Sequence, residues 1–489
     1  MKSGRRVIAA VLTALVTMTF TINTAVSVYA TGATTTENAQ TTDAQTAGAQ
    51  ATDAQALTPE EQKAQELQKA YDMPVQSNEY KDWPQGPGTY GEAGIVMEVG
   101  TGAILYAKNI DEHEYPASIT KVLTALVALE NGNLTDNVTF SHDSIAFMQP
   151  GDSSVGLKEG NVINLDQALH AMLLASANEA AYAIGESVGV NAGYDYNWFV
   201  EQMNSRCKEL GGENSNFVNT NGLHDPDHYT CARDMALIGR ELFKHPEFFQ
   251  IVQTLNYTIP ASETTEEHVF QQKHKMLQPS NANYYPYAIG GKTGYTSDAL
   301  STLITMADNG QSQLVCVVLR THGKNIYPDT KNLFEYGFNN FTKVDVTTQE
   351  KSEDIDQFIS EDGQNEANYV MLPNGVDFTS LDQKITQDED DKSIGTVAYS
   401  YDGHELGSAR VQLSDKYLKA HTDRTSEKVK INDTKNKKST SDNSLLGKIG
   451  LPGTIKGKII LGLSILLLIL IIAFAVMVIR LRKKRNRKF

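Results

Sequence analysis

Apolar positions recur along this chain with more than one period. Two short runs, Ile95-Val96-Met97-Glu98-Val99 and Ala103-Ile104-Leu105-Tyr106-Ala107, flank Gly100-Thr101-Gly102. A glycine-bearing loop between such runs predicts a β-hairpin. Helical spacing then takes over, with apolar residues at intervals of three and four. It predicts helices over Ile119–Leu129, Leu165–Val188 and Tyr194–Leu210. Extended runs return at Ser301–Ala307 and Gln313–Leu319, separated by Asp308-Asn309-Gly310, and a helix over Thr330–Phe341 closes the stretch. Strands at both ends with helices between predict an α+β domain over residues 85–343. Its expected form is one antiparallel sheet built from both ends of the segment, carrying an inserted helical lobe. From 344 to 417 the runs are short and β-like, including Tyr369–Leu372, Thr396–Tyr401 and Glu405–Leu413, with Asp402-Gly403 as a hairpin turn. A small all-β second domain is expected there.

The flanks have a different texture. Lys2, Arg5 and Arg6 precede an apolar stretch from Val7 to Phe20, and Val28-Tyr29-Ala30 follows as a small-residue cleavage site. Residues 1–30 are therefore expected to be a signal peptide. Residues 31–84 are read as a disordered spacer, because most of that stretch is Ala, Thr, Gln and Asp with little to bury. A short helical patch is expected within it at Pro59–Tyr71. Residues 418–458 are rich in Lys, Asp, Ser and Thr and read as a flexible stalk. Ile459–Ile479 is a charge-free apolar run, long enough to span about 30 Å as a helix. Seven cationic side chains follow between Arg480 and Lys488. The positive-inside rule then leaves 480–489 in the cytoplasm, with a single-pass helix at 459–479 and the folded part outside the cell.

Charge and cysteine content narrow the partners. The formal net charge is −16, which argues against nucleic acid as a partner. Cys207, Cys231 and Cys316 include no Cys-x-x-Cys pair, and three cannot pair fully within one chain. They are expected to be small buried hydrophobes.

The candidate chemistry begins at Pro116-Ala117-Ser118-Ile119-Thr120-Lys121. The helical period places Ser118 at a helix start and Lys121 one turn on, facing the same way. A serine hydroxyl needs an adjacent base to attack a carbonyl, and a desolvated lysine can be that base. The spacing alone is weak, since Ser205-Arg206-Cys207-Lys208 repeats it and serine is common as a helix cap. Order supplies the rest. Ser176-Ala177-Asn178 follows in an apolar stretch, and its hydroxyl and amide can relay a proton and hold a peptide group. Lys292-Thr293-Gly294 follows Gly290-Gly291, ahead of an expected strand. It offers a cation for a carboxylate and a glycine for close approach of a peptide. A second Ser-x-Asn, at Ser441-Asp442-Asn443, lies after this element and in the stalk. Ser-x-x-K, Ser-x-Asn and Lys-Thr-Gly in this order are the trio of β-lactamases and penicillin-binding proteins.

With Asn221-Gly222-Leu223-His224-Asp225-Pro226 and Tyr229-Thr230-Cys231-Ala232-Arg233-Asp234-Met235-Ala236, the stretch from about Gly91 to Phe341 resembles the D-alanyl-D-alanine carboxypeptidase family. A weaker likeness includes Leu372-Pro373-Asn374-Gly375-Val376-Asp377. The resemblance implies a β-lactamase/DD-peptidase-like fold. Ser118 would form the acyl-enzyme with Lys121 as its base, and Ser176 and Asn178 would form the second cleft wall. Lys292 and Thr293 would grip a terminal carboxylate beside Gly294, and the N–H groups of Ser118 and Tyr295 would form the oxyanion hole. The implied substrate is the D-Ala–D-Ala end of a peptidoglycan stem peptide, with β-lactam antibiotics as covalent inhibitors and no cofactor. The chain departs from the family at Ala177 and Glu179, where Gly and Asp are frequent. A late carboxylate-binding arginine has no clear match, and Arg320 is the candidate.

Three alternatives stand beside this one. A β-lactamase needs a deacylating carboxylate; Glu209 and Glu213 lie in the right window without a Glu-x-x-x-Asn pattern. An inactive wall-binding protein is disfavoured because every reactive residue is present. A metal site at His224 and His228 is disfavoured because Pro226 separates the pair and no third ligand is evident.

Overall fold

A computed structural model of the chain describes residues 57–359 and 368–421. The expected signal peptide, residues 31–56 of the spacer, nearly all of the stalk, the apolar run 459–479 and the basic tail lie outside these residues. Among the described residues no helix is long and apolar enough to cross a membrane.

The chain opens with helix α1, Pro59–Tyr71, capped by Thr58 in a reciprocal box with Glu61. Strands β1 (Ala93–Glu98) and β2 (Ile104–Lys108) form the expected hairpin. A 3₁₀ turn, Ala117–Ile119, leads into α2, Thr120–Asn131. The helical lobe continues through β3 (Asn137–Thr139), α3 (His142–Ala146), β4 (Val162–Asn164), α4 (Leu165–Leu174), α5 (Asn178–Asn191), α6 (Tyr196–Glu209), α7 (Ala232–Glu241) and α8 (Pro246–Val252). Two short strands, β5 (Asn256–Ile259) and β6 (His268–Gln271), pair with each other. The chain then returns to the sheet with β7 (Ala288–Thr296), β8 (Leu300–Asp308) and β9 (Gln313–Thr321), followed by α9, Ile326–Asn340. The last part contains β10 (Phe341–Asp345), α10 (Val346–Gln349), β11 (Ile355–Phe358), β12 (Tyr369–Pro373), β13 (Asp382–Gln387), β14 (Ile394–Tyr401) and β15 (His404–Leu413).

The central sheet has the order β2-β1-β9-β8-β7 and every pairing is antiparallel. It is the mixed sheet-and-helix arrangement that the alternation of patterns predicts. Strand β9 explains how the sheet is held. Val315, Val317 and Leu319 point into a core shared with the helical lobe. Leu314, Cys316 and Val318 point into a second core on the other face. A strand covered on both faces reads as an unbroken apolar run, which is what Leu314–Leu319 is.

The second core also contains Leu333 and Phe334 of α9, and Val397, Tyr399, Leu406 and Val411 of the C-terminal strands. The β-rich part thus packs on the central sheet through shared side chains. The boundary expected at 343/344 falls inside β10, which pairs with β12 across it. The expected spacer also ends earlier than residue 84. Trp83 is buried and its Nε1 donates to Leu105 O at 2.9 Å. Lys108 is fully buried and its Nζ donates to the carbonyls of Ala70, Thr89 and Gly91. A few anchoring side chains hold a polar segment that its average composition reads as unfolded. The three cysteines are free and buried, as expected.

Candidate active site

The expected single helix Leu165–Val188 is broken. Helix α4 stops at Leu174, and α5 starts at Asn178. Between them Ser176 takes a left-handed backbone, φ +65°. Three backbone bonds hold the break: Ala177 N–H to Ala171 O, Asn178 N–H to Ser153 O, and Lys273 N–H to Leu174 O. Ser176 and Asn178 are nearly buried there, and Asn178 heads the new helix.

The nucleophile turn is strained in the same way. Ala117 has φ +50°, a conformation that costs about 1–2 kcal/mol for a residue with a Cβ and persists only when its surroundings enforce it. Here they do. Thr120 Oγ1 donates to Ala117 O at 2.9 Å, and Thr302 Oγ1 donates to Pro116 O at 2.8 Å. Gly222 lies so close that a Cβ on it would meet Ala117 O at 1.9 Å. His228 completes the support. Its Nδ1 accepts from Val218 N–H at 3.1 Å, so its Nε2 carries the proton and donates to Thr120 Oγ1 at 2.8 Å. Burial pushes its pKa down to about 4. Both ring nitrogens are thereby occupied and the imidazole is neutral, so His228 braces the nucleophile turn. His224 packs edge-on against Tyr115.

Lys121 is fully buried and stands at the centre. Its Nζ lies 3.0 Å from Ser118 Oγ, 2.7 Å from Asn178 Oδ1 and 2.5 Å from Asn221 O. Burial first, and then the charge of Lys292, hold its pKa well below 10.5. A neutral amine has two N–H donors and one lone pair. The donors match Asn178 and Asn221, and the lone pair is left for the Ser118 hydroxyl. This arrangement can take a proton from Ser118.

Lys292, Thr293 and Gly294 lie within β7, not ahead of a strand as the sequence suggests. A Cβ on Gly294 would sit 2.9 Å from Ser118 N and 2.3 Å from Thr302 Oγ1, so only glycine lets this strand approach the nucleophile turn. Lys292 is buried, and its Nζ donates to Thr293 O at 2.8 Å. Desolvation, then the charge of Lys273, pushes its pKa down to about 7. Tyr295 is 68% exposed on the rim. The expected residues therefore converge from the nucleophile turn, the α4–α5 break and β7.

Sequence reasoning missed the roles of three residues. Glu179 follows Asn178 and is buried, and its Oε1 accepts from Ser154 Oγ, Val155 N and Gly156 N at 2.6, 2.8 and 3.2 Å. This carboxylate, where the family often has Asp, pins the 153–156 loop beside the cleft. His228 was weighed only as a metal ligand, and Lys273 was not singled out. The decoy serine, Ser205, is exposed on α6, and the neighbouring Arg206 pairs with Glu130 and Glu241. Glu209, weighed as a deacylating carboxylate, is exposed at the end of the same helix and pairs with Arg206.

The chain is similar to known proteins of one family. A family model described as D-alanyl-D-alanine carboxypeptidase, peptidase family S11, matches residues 84–323. The chain is 31% identical over 261 residues to D-alanyl-D-alanine carboxypeptidase DacB2 of Mycobacterium tuberculosis, covering 52% of this chain and 84% of the relative. It is 28% identical over 346 residues to D-alanyl-D-alanine carboxypeptidase DacA of Haemophilus influenzae, covering 65% and 83%. Among solved structures, the Streptomyces K15 DD-transpeptidase is similar at 27% identity with a TM-score of 0.48, covering 52% of this chain and 100% of that one.

Proposed function

The chain belongs to the D-alanyl-D-alanine carboxypeptidase family and is a serine-type hydrolase of that kind, and from that premise we propose that it trims the terminal D-alanine from peptidoglycan stem pentapeptides through an ester on Ser118. The observation that carries this reading is the desolvated Lys121 amine, 3.0 Å from Ser118 Oγ. Neutral Lys121 takes the hydroxyl proton as Ser118 Oγ bonds to the carbonyl carbon of the penultimate D-alanine. The backbone N–H groups of Ser118 and Tyr295 receive the oxyanion. Lys121 gives the hydroxyl proton up through Ser176 to the leaving amine as the C–N bond breaks, so D-alanine departs and Lys121 is neutral again. Water then attacks the ester, returns its proton through Lys121, and frees the shortened peptide. Asn178 holds the substrate amide, and Lys292 and Thr293 take the terminal carboxylate beside Gly294.

The compartment belongs to the same reading. The apolar run 459–479 and the basic tail support a membrane anchor, and the basic–apolar start supports export, so the catalytic part works outside the membrane. β-Lactams, as acyl donors with a carboxylate, are expected covalent inhibitors.

Two measurements test this. D-alanine should appear when the protein is incubated with a synthetic pentapeptide ending in D-Ala-D-Ala, and labelled penicillin should form an adduct that Ser118→Ala abolishes. An adduct that survives in Ser118→Ala overturns the assignment of the nucleophile. Protease treatment of intact cells should remove the catalytic part and spare the basic tail; protection of the catalytic part would overturn the topology.

A further inference from the structure

The segment that leads into the nucleophile turn also walls a second cavity, of about 680 Å³. Residues 112–115 line it and run straight on to Pro116 and Ser118. Pro226 and Tyr229 line it too, on either side of His228, the brace of that turn. The two segments are stitched together: Glu114 N–H donates to Thr230 O at 2.7 Å, and Thr230 N–H donates to Glu114 O at 2.8 Å. Glu92, just before β1, and Arg320, near the end of β9, complete the lining. None of Ser118, Lys121, Ser176, Asn178 and Lys292 lines it, so it is separate from the cleft.

The charge of this cavity is lopsided: three carboxylates, those of Glu92, Glu112 and Glu114, stand against one guanidinium. Arg320, which the sequence suggests for gripping a substrate carboxylate, is already engaged. Its Nε meets Glu92 Oε1 at 3.1 Å, and its Nη1 donates to Asp298 O at 2.9 Å. Glu112 is exposed, whereas Glu114 is only 9% exposed. Among the described residues nothing donates a hydrogen bond to the Glu114 carboxylate, and neither of its oxygens is sealed in, so it opens onto the cavity it lines. Burial pushes its pKa up to about 7, against the pull of Arg320. A carboxylate held out of water without a donor is unfavourable, and a partner bringing positive charge and N–H groups relieves it. A metal ion does not fit, because among the described residues no three His, Cys, Asp or Glu side chains stand close enough to hold one. The volume suits an organic molecule. Tyr115 and Tyr229, the latter stacked on His113 at 4.4 Å, offer aromatic surface to a carbon chain and its cationic end.

We propose that this cavity is a second binding site of the protein, taking a ligand with a primary alkylammonium group, which Glu114 receives with help from Glu112 while Tyr115 and Tyr229 cover the carbon chain. The site is independent of the reaction assigned to Ser118, so it stands or falls on its own measurement.

Isothermal titration of the full-length protein tests this with two amines: cadaverine, a free diamine, and acetyl-lysine amide, a lysine side chain in a peptide setting. Pentanol, which has the carbon chain without the charge, and calcium, which has the charge without the chain, are the controls. At least one amine should bind saturably and neither control should. Tighter cadaverine identifies a free diamine as the ligand, and tighter acetyl-lysine amide identifies a peptide-borne amine; either result upholds the site. Glu114→Gln keeps the shape and removes the charge, and affinity should fall roughly 10- to 100-fold, the usual range for losing a charged hydrogen-bond partner. Glu112→Gln should weaken binding only about two- to fivefold, as for an exposed ion pair. Thermal unfolding reports whether each variant is folded; should Glu114→Gln fail to fold, the loss in Glu112→Gln, at an exposed position, decides. No binding of either amine, an affinity unchanged in folded Glu114→Gln, or binding matched by pentanol or calcium would overturn the proposal.

Discussion

The buried ammonium of Lys292 should weaken the folded state, and the size of the effect follows from its surroundings. Burial and the charge of Lys273 push its pKa from 10.5 to about 7. At about 1.4 kcal/mol per pKa unit, holding the charged form in the folded protein costs about 5 kcal/mol. Below pH 7 the residue is charged in both the folded and unfolded states, and the full cost applies. Between about 7 and 10.5 the unfolded chain holds a proton that the folded chain lacks, so stability rises with pH. Above 10.5 both states are neutral and the cost is gone. Lys292→Met keeps the length of the apolar stem and loses the bond from Nζ to Thr293 O, worth about 1 kcal/mol. The variant should therefore be more stable than wild type by about 4 kcal/mol at pH 6, with the gap nearly closed by pH 10. Urea unfolding of both proteins at the two pH values measures this, and comparing them cancels the titration of groups that the Lys292 charge does not reach; Lys121 and His274 are the ones it does reach. A gap of the same size at both pH values would refute the reasoning, as would a more stable wild type at pH 6. The same variant should lose its grip on carboxylate-bearing substrates, which is the usual cost in stability of a functional charge.

Other perturbations have equally definite outcomes. Gly222→Ala must displace the nucleophile turn, because its Cβ would fall 1.9 Å from Ala117 O at φ +81°; penicillin acylation should slow by about 100-fold, and an unchanged rate in stopped-flow would contradict this. Glu179→Ala leaves Ser154 Oγ, Val155 N and Gly156 N without their acceptor, so chemical denaturation should show a loss of about 3 kcal/mol, most of it recovered by Glu179→Gln. Lys108→Met releases the carbonyls of Ala70, Thr89 and Gly91; hydrogen exchange should then speed up across 59–71 while penicillin acylation holds its wild-type rate.

The sequence by itself determined the elements and the order of the chemistry. The hairpin at Ile95–Ala107, the helix after Ser118, and strands β8 and β9 were legible because each is written in local periodicity. Ser118, Lys121, Asn178 and Lys292 were legible because three short motifs occur in one order. The α4–α5 break was not legible. Leu165–Val188 reads as a single helix, and partners far along the chain, Ser153 O for Asn178 N–H and Lys273 N–H for Leu174 O, hold Ser176 at φ +65°. The same limit hid Trp83, which is buried with its Nε1–H donating to Leu105 O. The tertiary structure alone decided what Lys121 meets: Asn178, 57 residues away, and Asn221, 100 residues away. Helical propensity is set within a turn or two of backbone, whereas a desolvated amine, a strained turn and an uncompensated cation exist only where distant segments pack together and exclude water.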